Sequence, residues 1–197
     1  MEQLGTKLSG STSFKQLFKS SLGPLDIVAA ALPGNTAATY AVGQALVNST
    51  VAGFKAKYTN ATVVTDGAIG TGDGSNKTFT LAAANVISDS LHVFVSGVLW
   101  DAEISVGTGS GSVDQVVFQT APTSSAAVKA DYSYHALSTG VTGACVNILA
   151  AATVSGGPPI TVDACRDGSV VTSYVVDAGG NAVDKWFKAA LPRMSFD

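Results

Sequence analysis

Between residues 78 and 134 apolar and polar positions alternate in four short segments. Residues 78–81 read Thr-Phe-Thr-Leu. Residues 92–95 read His-Val-Phe-Val and run through Ser96-Gly97 into Val98-Leu99-Trp100. Residues 116–120 read Val-Val-Phe-Gln-Thr and end at Ala121-Pro122. In residues 128–134, Val128, Ala130, Tyr132 and Tyr134 fall on one side, and Lys129, Asp131 and Ser133 on the other. A period of two predicts strands of a sheet with one buried and one wet face.

The flanking segments add weaker β patterns. Residues 42–47 (Val-Gly-Gln-Ala-Leu-Val) and 54–58 (Phe-Lys-Ala-Lys-Tyr) predict a strand pair, with Phe54, Ala56 and Tyr58 sharing a face. Residues 146–149, 160–164 and 170–176 predict three more strands. Asp167-Gly168 is a hairpin signal. Asn181 predicts the cap of a short helix running to Leu191 and stopped by Pro192. Val183, Trp186, Phe187 and Ala190 form its apolar face, so Trp186 and Phe187 are expected to be buried. No other segment predicts a comparable helix, so the fold class is mainly β: a small β-rich domain with one short C-terminal helix.

Two stretches rich in Gly, Ser and Thr, residues 66–75 and 137–143, bracket the four-strand segment. Such composition marks linkers. The expected organisation is an arm over 1–36, one β domain built from 37–62 and 137–197, and an inserted antiparallel, β-sandwich-like module over 63–136. Within 1–36, Ser13 can cap a short amphipathic turn at Phe14-Lys15-Gln16-Leu17-Phe18, and the apolar run 25–32 ends at the turn Pro33-Gly34-Asn35. Two readings stand for this segment: an arm that docks on a partner, or an N-terminal strand of the chain's own sheet. On the first reading the contact residues are Phe14, Leu17, Phe18, Leu25, Ile27, Val28 and Leu32.

Composition narrows the function classes. Charged residues make up 13% of the 197, about half the usual share. Small residues fill the difference, which suits β structure and covered surfaces. A net charge of −3 and a pI near 5.2 oppose a nucleic-acid partner, which requires a basic stripe. Mean hydropathy is positive, but the apolar region 25–54 is broken by Asp26, Pro33-Gly34-Asn35, Gln44 and Asn48, so no membrane span is expected. Nor is a signal peptide, since the chain starts Met1-Glu2-Gln3 and its apolar run is short and late. Cys145 and Cys165 lack metal spacing and are read as small buried residues rather than a disulfide.

No motif supplies catalysis. The glycine run 70–78 differs from a phosphate loop: two residues separate its last Gly from Lys77, and a strand follows rather than a helix. His92 and His135 lie in or beside strands, without a Gly-x-Ser-x-Gly turn in the chain. Asp101 and Glu103 are read as solvated carboxylates. Trp100, Tyr132 and Tyr134 could stack on a sugar, but Tyr132 and Tyr134 share the apolar face of their strand and are expected in the core. The expectation is a non-enzymatic protein with no catalytic residue, cofactor or metal site.

The outer segments carry a resemblance. Ala144-Cys145-Val146-Asn147-Ile148-Leu149-Ala150, the strand pair around Arg166-Asp167-Gly168-Ser169, and a short helix ending Phe187-Lys188-Ala189-Ala190-Leu191 resemble the lambda-like bacteriophage head decoration (capsid cement) family. Residues 42–47 and 54–58 look like that family's early strand pair. The sequence departs from it at Asn147, where the family usually has Gly, and in the insert. The insert itself, through Gly72-Asp73-Gly74-Ser75, residues 93–98 and residues 117–122, looks like a β module of phage virion proteins, tail fibres included.

The resemblance implies a virion structural protein, made in the host cytoplasm, that binds the outer capsid surface. Its implied partners are the major capsid protein and two further copies of itself in a homotrimer. The alternative is a tail-fibre or baseplate adaptor whose β module binds a receptor or glycan.

Overall fold

The computed structural model describes residues 17–20, 25–34, 37–107, 109 and 112–197. Side chains of 18–20 lie outside that description, as do Phe14 and most of the amphipathic turn expected around it. The chain is mainly β with several antiparallel sheets and one short helix among the described residues. It divides into two compact units. One joins Met1–Asn60 to Thr139–Asp197, and the other is Ala61–Ser138.

The strands of the first unit are β1 (Phe18–Ser20), β2 (Ile27–Leu32), β3 (Ala38–Tyr40), β4 (Ala45–Asn48) and β5 (Lys55–Lys57). The chain leaves the unit through β6–β12, described below, and returns with β13 (Cys145–Asn147), β14 (Ala151–Thr153), β15 (Ile160–Cys165), β16 (Gly168–Val170) and β17 (Met194–Phe196). A five-stranded antiparallel sheet runs β2-β15-β13-β4-β5. Its core gathers Ala30, Leu32, Tyr40, Leu46, Cys145, Val162 and Ala164. β14 pairs with β3, and β1-β16-β17 forms a third sheet in which β16 and β17 run parallel.

That third sheet corrects the expected hairpin at Asp167-Gly168. β15 and β16 are not partners; the turn carries the chain from the five-stranded sheet into another. The Asp167 carboxylate is occupied by the backbone N–H of Asp26, at 2.7 Å. The expected strand over 170–176 is also shorter. β16 stops at Val170 and a 3-10 turn follows at Thr172–Tyr174.

The helix α1 spans Lys185–Ala189 and is capped by Asp184, not Asn181. Asp184 Oδ1 accepts from the backbone of Trp186 and Phe187 at 3.1 and 3.0 Å, which satisfies two amides that a helix start leaves unpaired. Phe187 is buried. Trp186 is only half-buried, with the Lys185 ammonium 4.5 Å from its ring centroid. Five residues give little more than one turn, so one side chain reaches the core and its neighbour lies at the rim.

The second unit holds β6 (Thr62–Thr71), β7 (Thr78–Thr80), β8 (His92–Val95), β9 (Val98–Trp100), β10 (Glu103–Ser105), β11 (Gln115–Val117) and β12 (Ala127–Tyr134). Four strands order as β6-β12-β8-β9 and three as β10-β11-β7. Strands of both sheets supply its core: Phe79, Leu81, Val93, Val95, Val116, Phe118, Val128, Ala130 and Tyr132. Ser96 and Gly97 both have positive φ, of 50° and 80°, the turn that joins β8 to β9 tightly.

β6 is the main departure. The first part of the glycine-rich stretch expected as a linker, residues 66–71, belongs to a ten-residue strand, Thr62–Thr71, paired along β12. The register shifts twice, and Asp66 takes φ 54°. Such bulges break the alternation that identifies a strand. Gly70 is required there: a Cβ on it would lie 2.7 Å from the ring of Phe79. The last residue of β12, Tyr134, is the register partner of Thr62, the first of β6, so the unit begins and ends on neighbouring strands.

Candidate functional site

The residues expected to contact a partner are not one surface. Leu17 and Leu32 are fully buried. Leu25 and Val28 are half-buried, and Ile27 is 44% exposed. β2 pairs with β15 over its whole length, from Leu32 opposite Ile160 to Ile27 opposite Cys165. The docking-arm reading therefore fails for residues 27–32: they are a strand of the chain's own sheet. Ladder hydrogen bonds and burial of Ala30 and Leu32 hold them there. Phe14 and the side chain of Phe18 lie outside the described residues.

What remains at β2 is an edge. It ends the sheet order, with β15 as its only hydrogen-bonded strand among the described residues, while β5 lies close on its other side. A groove of about 430 Å³ runs beside it, lined by Ala29 and Ala31 on one side and by the β4–β5 turn, Lys55 and Thr139 on the other. The turn is rigid: Ser49 N donates to Phe54 O at 2.8 Å. The Lys55 ammonium donates to Asn48 Oδ1 at 2.8 Å and to Gly143 O at 2.5 Å. An exposed strand edge beside small side chains can accept an extended peptide through its main chain.

The start of β2 is pinned by charge. Asp26 Oδ2 accepts from Arg193 at 2.6 Å and from Arg166 at 3.0 Å, and Arg193 lies 3.8 Å from Asp167. Asp26, Arg166 and Arg193 border a cleft of about 440 Å³ with Gly143, Ala144 and Leu191. Asp26 is the one carboxylate lining this cleft, and it engages both guanidiniums, while Arg193 also approaches Asp167 behind it. Cys165 beside them is a poor nucleophile. Burial pushes its thiol up to about 11, and Sγ donates to Asp167 O at 2.9 Å. Cys145 is likewise raised by burial. Both are buried free thiols.

Asn147 is fully buried. Its Nδ2 donates to Ala41 O and Leu149 O, both at 2.8 Å, while Oδ1 has no partner among the described residues. The side chain therefore stitches two neighbouring segments where the family resembled usually has Gly.

In the second unit the histidines are separate. His92 is exposed on β8 opposite Asp131, and His135 follows β12, its backbone N–H donating to Asn85 O at 3.1 Å. The glycine loop 72–76 is closed on itself. Asp73 Oδ1 accepts from Asn76 N at 2.6 Å and Ser75 N at 2.7 Å. Those amides hold the Asp73 carboxyl below its ordinary range, and they face a carboxylate rather than a phosphate.

The three aromatics divide. Tyr132 is buried and its hydroxyl accepts from Ala82 N at 3.2 Å. Tyr134 is half-buried and packs against the core, 6.3 Å from the ring of Tyr132. Trp100 alone borders a cleft, of about 380 Å³, with Asp101, Phe118, Gln119 and Thr120. Sequence reasoning named Trp100 but not Gln119 or Thr120, since only the fold brings the end of β11 beside the end of β9.

Among the described residues no group of three or more His, Cys, Asp or Glu side chains could hold a metal ion. No described helix is long and apolar enough to cross a membrane. No family model, no curated protein and no solved structure matches this chain.

Proposed function

We propose that the chain is a non-enzymatic bacteriophage virion protein that decorates the outer surface of the head as a homotrimer and cements neighbouring major capsid subunits. One observation carries this reading. Of the separated segments that bear the resemblance, β15, β13, β4 and β5 are consecutive neighbours in one sheet of the first unit, whereas β16, after Asp167-Gly168, lies in another. α1 is tied to the same unit by Tyr58, whose hydroxyl bonds the capping Asp184. A cement protein needs no reactive group. It needs many equivalent copies that bind only the assembled shell, and such binding stabilises the shell by mass action. The open edge of β2 offers main-chain hydrogen bonds to a capsid strand.

The test is to add the purified chain to undecorated heads. Saturable binding, raised head melting temperature and density at three-fold positions by cryo-EM are expected. Density on tails alone would support the adaptor reading instead.

A further inference from the structure

We propose that the cleft at Trp100 is a binding subsite for a neutral pyranose sugar. All of its lining belongs to the unit Ala61–Ser138.

The placement follows from a short strand at a sheet edge. β9 has two outward-exposed residues, Val98 and Leu99, and then the half-buried Trp100. The indole packs edge-to-face against Phe118, with centroids 5.8 Å apart at 89°. Phe118 packs in turn against Phe79, at 5.7 Å and 75°. The ring is therefore fixed by the core while part of it stays open to the cleft. A rigid aromatic wall costs little entropy when a ligand settles on it.

Polar groups of suitable kind surround the ring. The chain leaves β9 at Asp101, and the segment after β11 presents Gln119 and Thr120. All three are exposed. Among the described residues their side chains have no hydrogen-bond partner, so a carboxylate, an amide and a hydroxyl are free at one opening. The backbone of this segment is held: Lys77 Nζ donates to Gln119 O at 2.7 Å, and Phe118 N donates to Lys77 O at 2.8 Å.

A pyranose has an apolar C–H face and a rim of hydroxyls that both donate and accept. The indole answers the first, and Asp101, Gln119 and Thr120 the second. Charge narrows the class. Asp101 is the one charged side chain lining the cleft, so it accepts from hydroxyls and opposes carboxylated, sulfated or phosphorylated sugars, while the Lys77 ammonium is engaged by the Gln119 carbonyl. A single ring in a shallow cleft binds weakly, on the order of millimolar. Several copies on one particle would gain by avidity.

The experiment titrates the full chain with methyl glycosides of glucose, galactose, mannose and N-acetylglucosamine, and with glucuronate. Saturation-transfer NMR and tryptophan emission are read. Trp186 is the chain's second tryptophan, so a Trp186→Phe background assigns the emission to Trp100. At least one neutral glycoside is expected to bind. Trp100→Ala should weaken it about tenfold, the effect of losing one small apolar contact face. Asp101→Ala, at an exposed position, should weaken it as well and guards against a misfolded Trp100 variant. Glucuronate should bind worse than the glucoside, and Asp101→Asn should narrow that gap. The proposal is overturned if no neutral glycoside registers, if both the Trp100 and Asp101 variants bind as the parent does, or if glucuronate binds better.

Discussion

The phenolic oxygen of Tyr58 lies 2.9 Å from both carboxylate oxygens of Asp184, 126 residues away in sequence. One carboxylate thereby caps α1 and anchors the segment after β5. The rings of Tyr58 and Phe187 meet 5.0 Å apart. Asn60 completes the clasp, accepting from Asp184 N at 3.0 Å and donating to Ala182 O at 2.9 Å. Tyr58→Phe should cost about 1.5–3 kcal/mol, as for a hydrogen bond to a charged group. Asp184→Ala removes the cap as well and should cost more. Urea unfolding of both variants and their combination should show a double-variant cost below the sum, because they share one interaction.

Phe187 is fully buried and Trp186 is not. Phe187→Ala should therefore cost about 3–5 kcal/mol. Trp186→Ala should cost distinctly less, since a half-buried ring leaves no closed cavity. Thermal melts of the two variants decide the order.

Leu32 and Ile27 occupy opposite ends of β2 and differ in exposure, 0% against 44%. Leu32→Ala should destabilise the fold by about 2–5 kcal/mol. Ile27→Ser should change stability by about 0.5 kcal/mol or less. If the β2 edge meets the capsid, Ile27→Asp should weaken binding to heads with the melting temperature unchanged. Pelleting with undecorated heads measures this.

Thr62 and Tyr134 are register partners at the two ends of the second unit. Replacing residues 61–138 with a Gly-Ser linker should leave the first unit folded, because that unit has its own sheet and its own core. The separate fragment 61–138 should unfold in one cooperative transition around its own core. Dispersed amide NMR spectra of both products check the prediction, as does retained head binding by the first.

The Cys165 thiol is pushed up to about 11 by burial, above the ordinary value of 9.0. Between these two values the unfolded chain has released a proton that the folded chain keeps. Stability contributed by this group is therefore present below pH about 9 and falls as pH rises toward about 11. The parent should lose more stability over this interval than Cys165→Ala, measured by urea unfolding. Native thiols should also react slowly with a disulfide reagent near neutral pH and quickly once unfolded.

Much of the second unit was legible in advance. The alternation around Val128, Ala130 and Tyr132 locates β12, and Ser96-Gly97 locates the β8–β9 turn. β6 was not legible, because an edge strand exposed on both faces carries no apolar alternation and its bulges shift the register. The apolar run at 27–32 showed that those residues seek cover, but not whether the cover was a partner's or the chain's own. Asp167-Gly168 predicts a change of direction, but the strand after it pairs with β1 and β17 rather than with β15.

The amino-acid pattern alone determined the β class, the turns and the absence of a recognisable catalytic motif, because these depend on neighbours within a few residues. Only the tertiary structure decided that β2 joins β15, that Asp184 rather than Asn181 caps α1, and that Trp100 meets Gln119 and Thr120. The strand pair and the cleft join residues distant in sequence, and the capping Asp184 is itself held by Tyr58, 126 residues away. Local propensity is silent about such pairs, since their energy appears only when the intervening chain has folded and closed the loop between them.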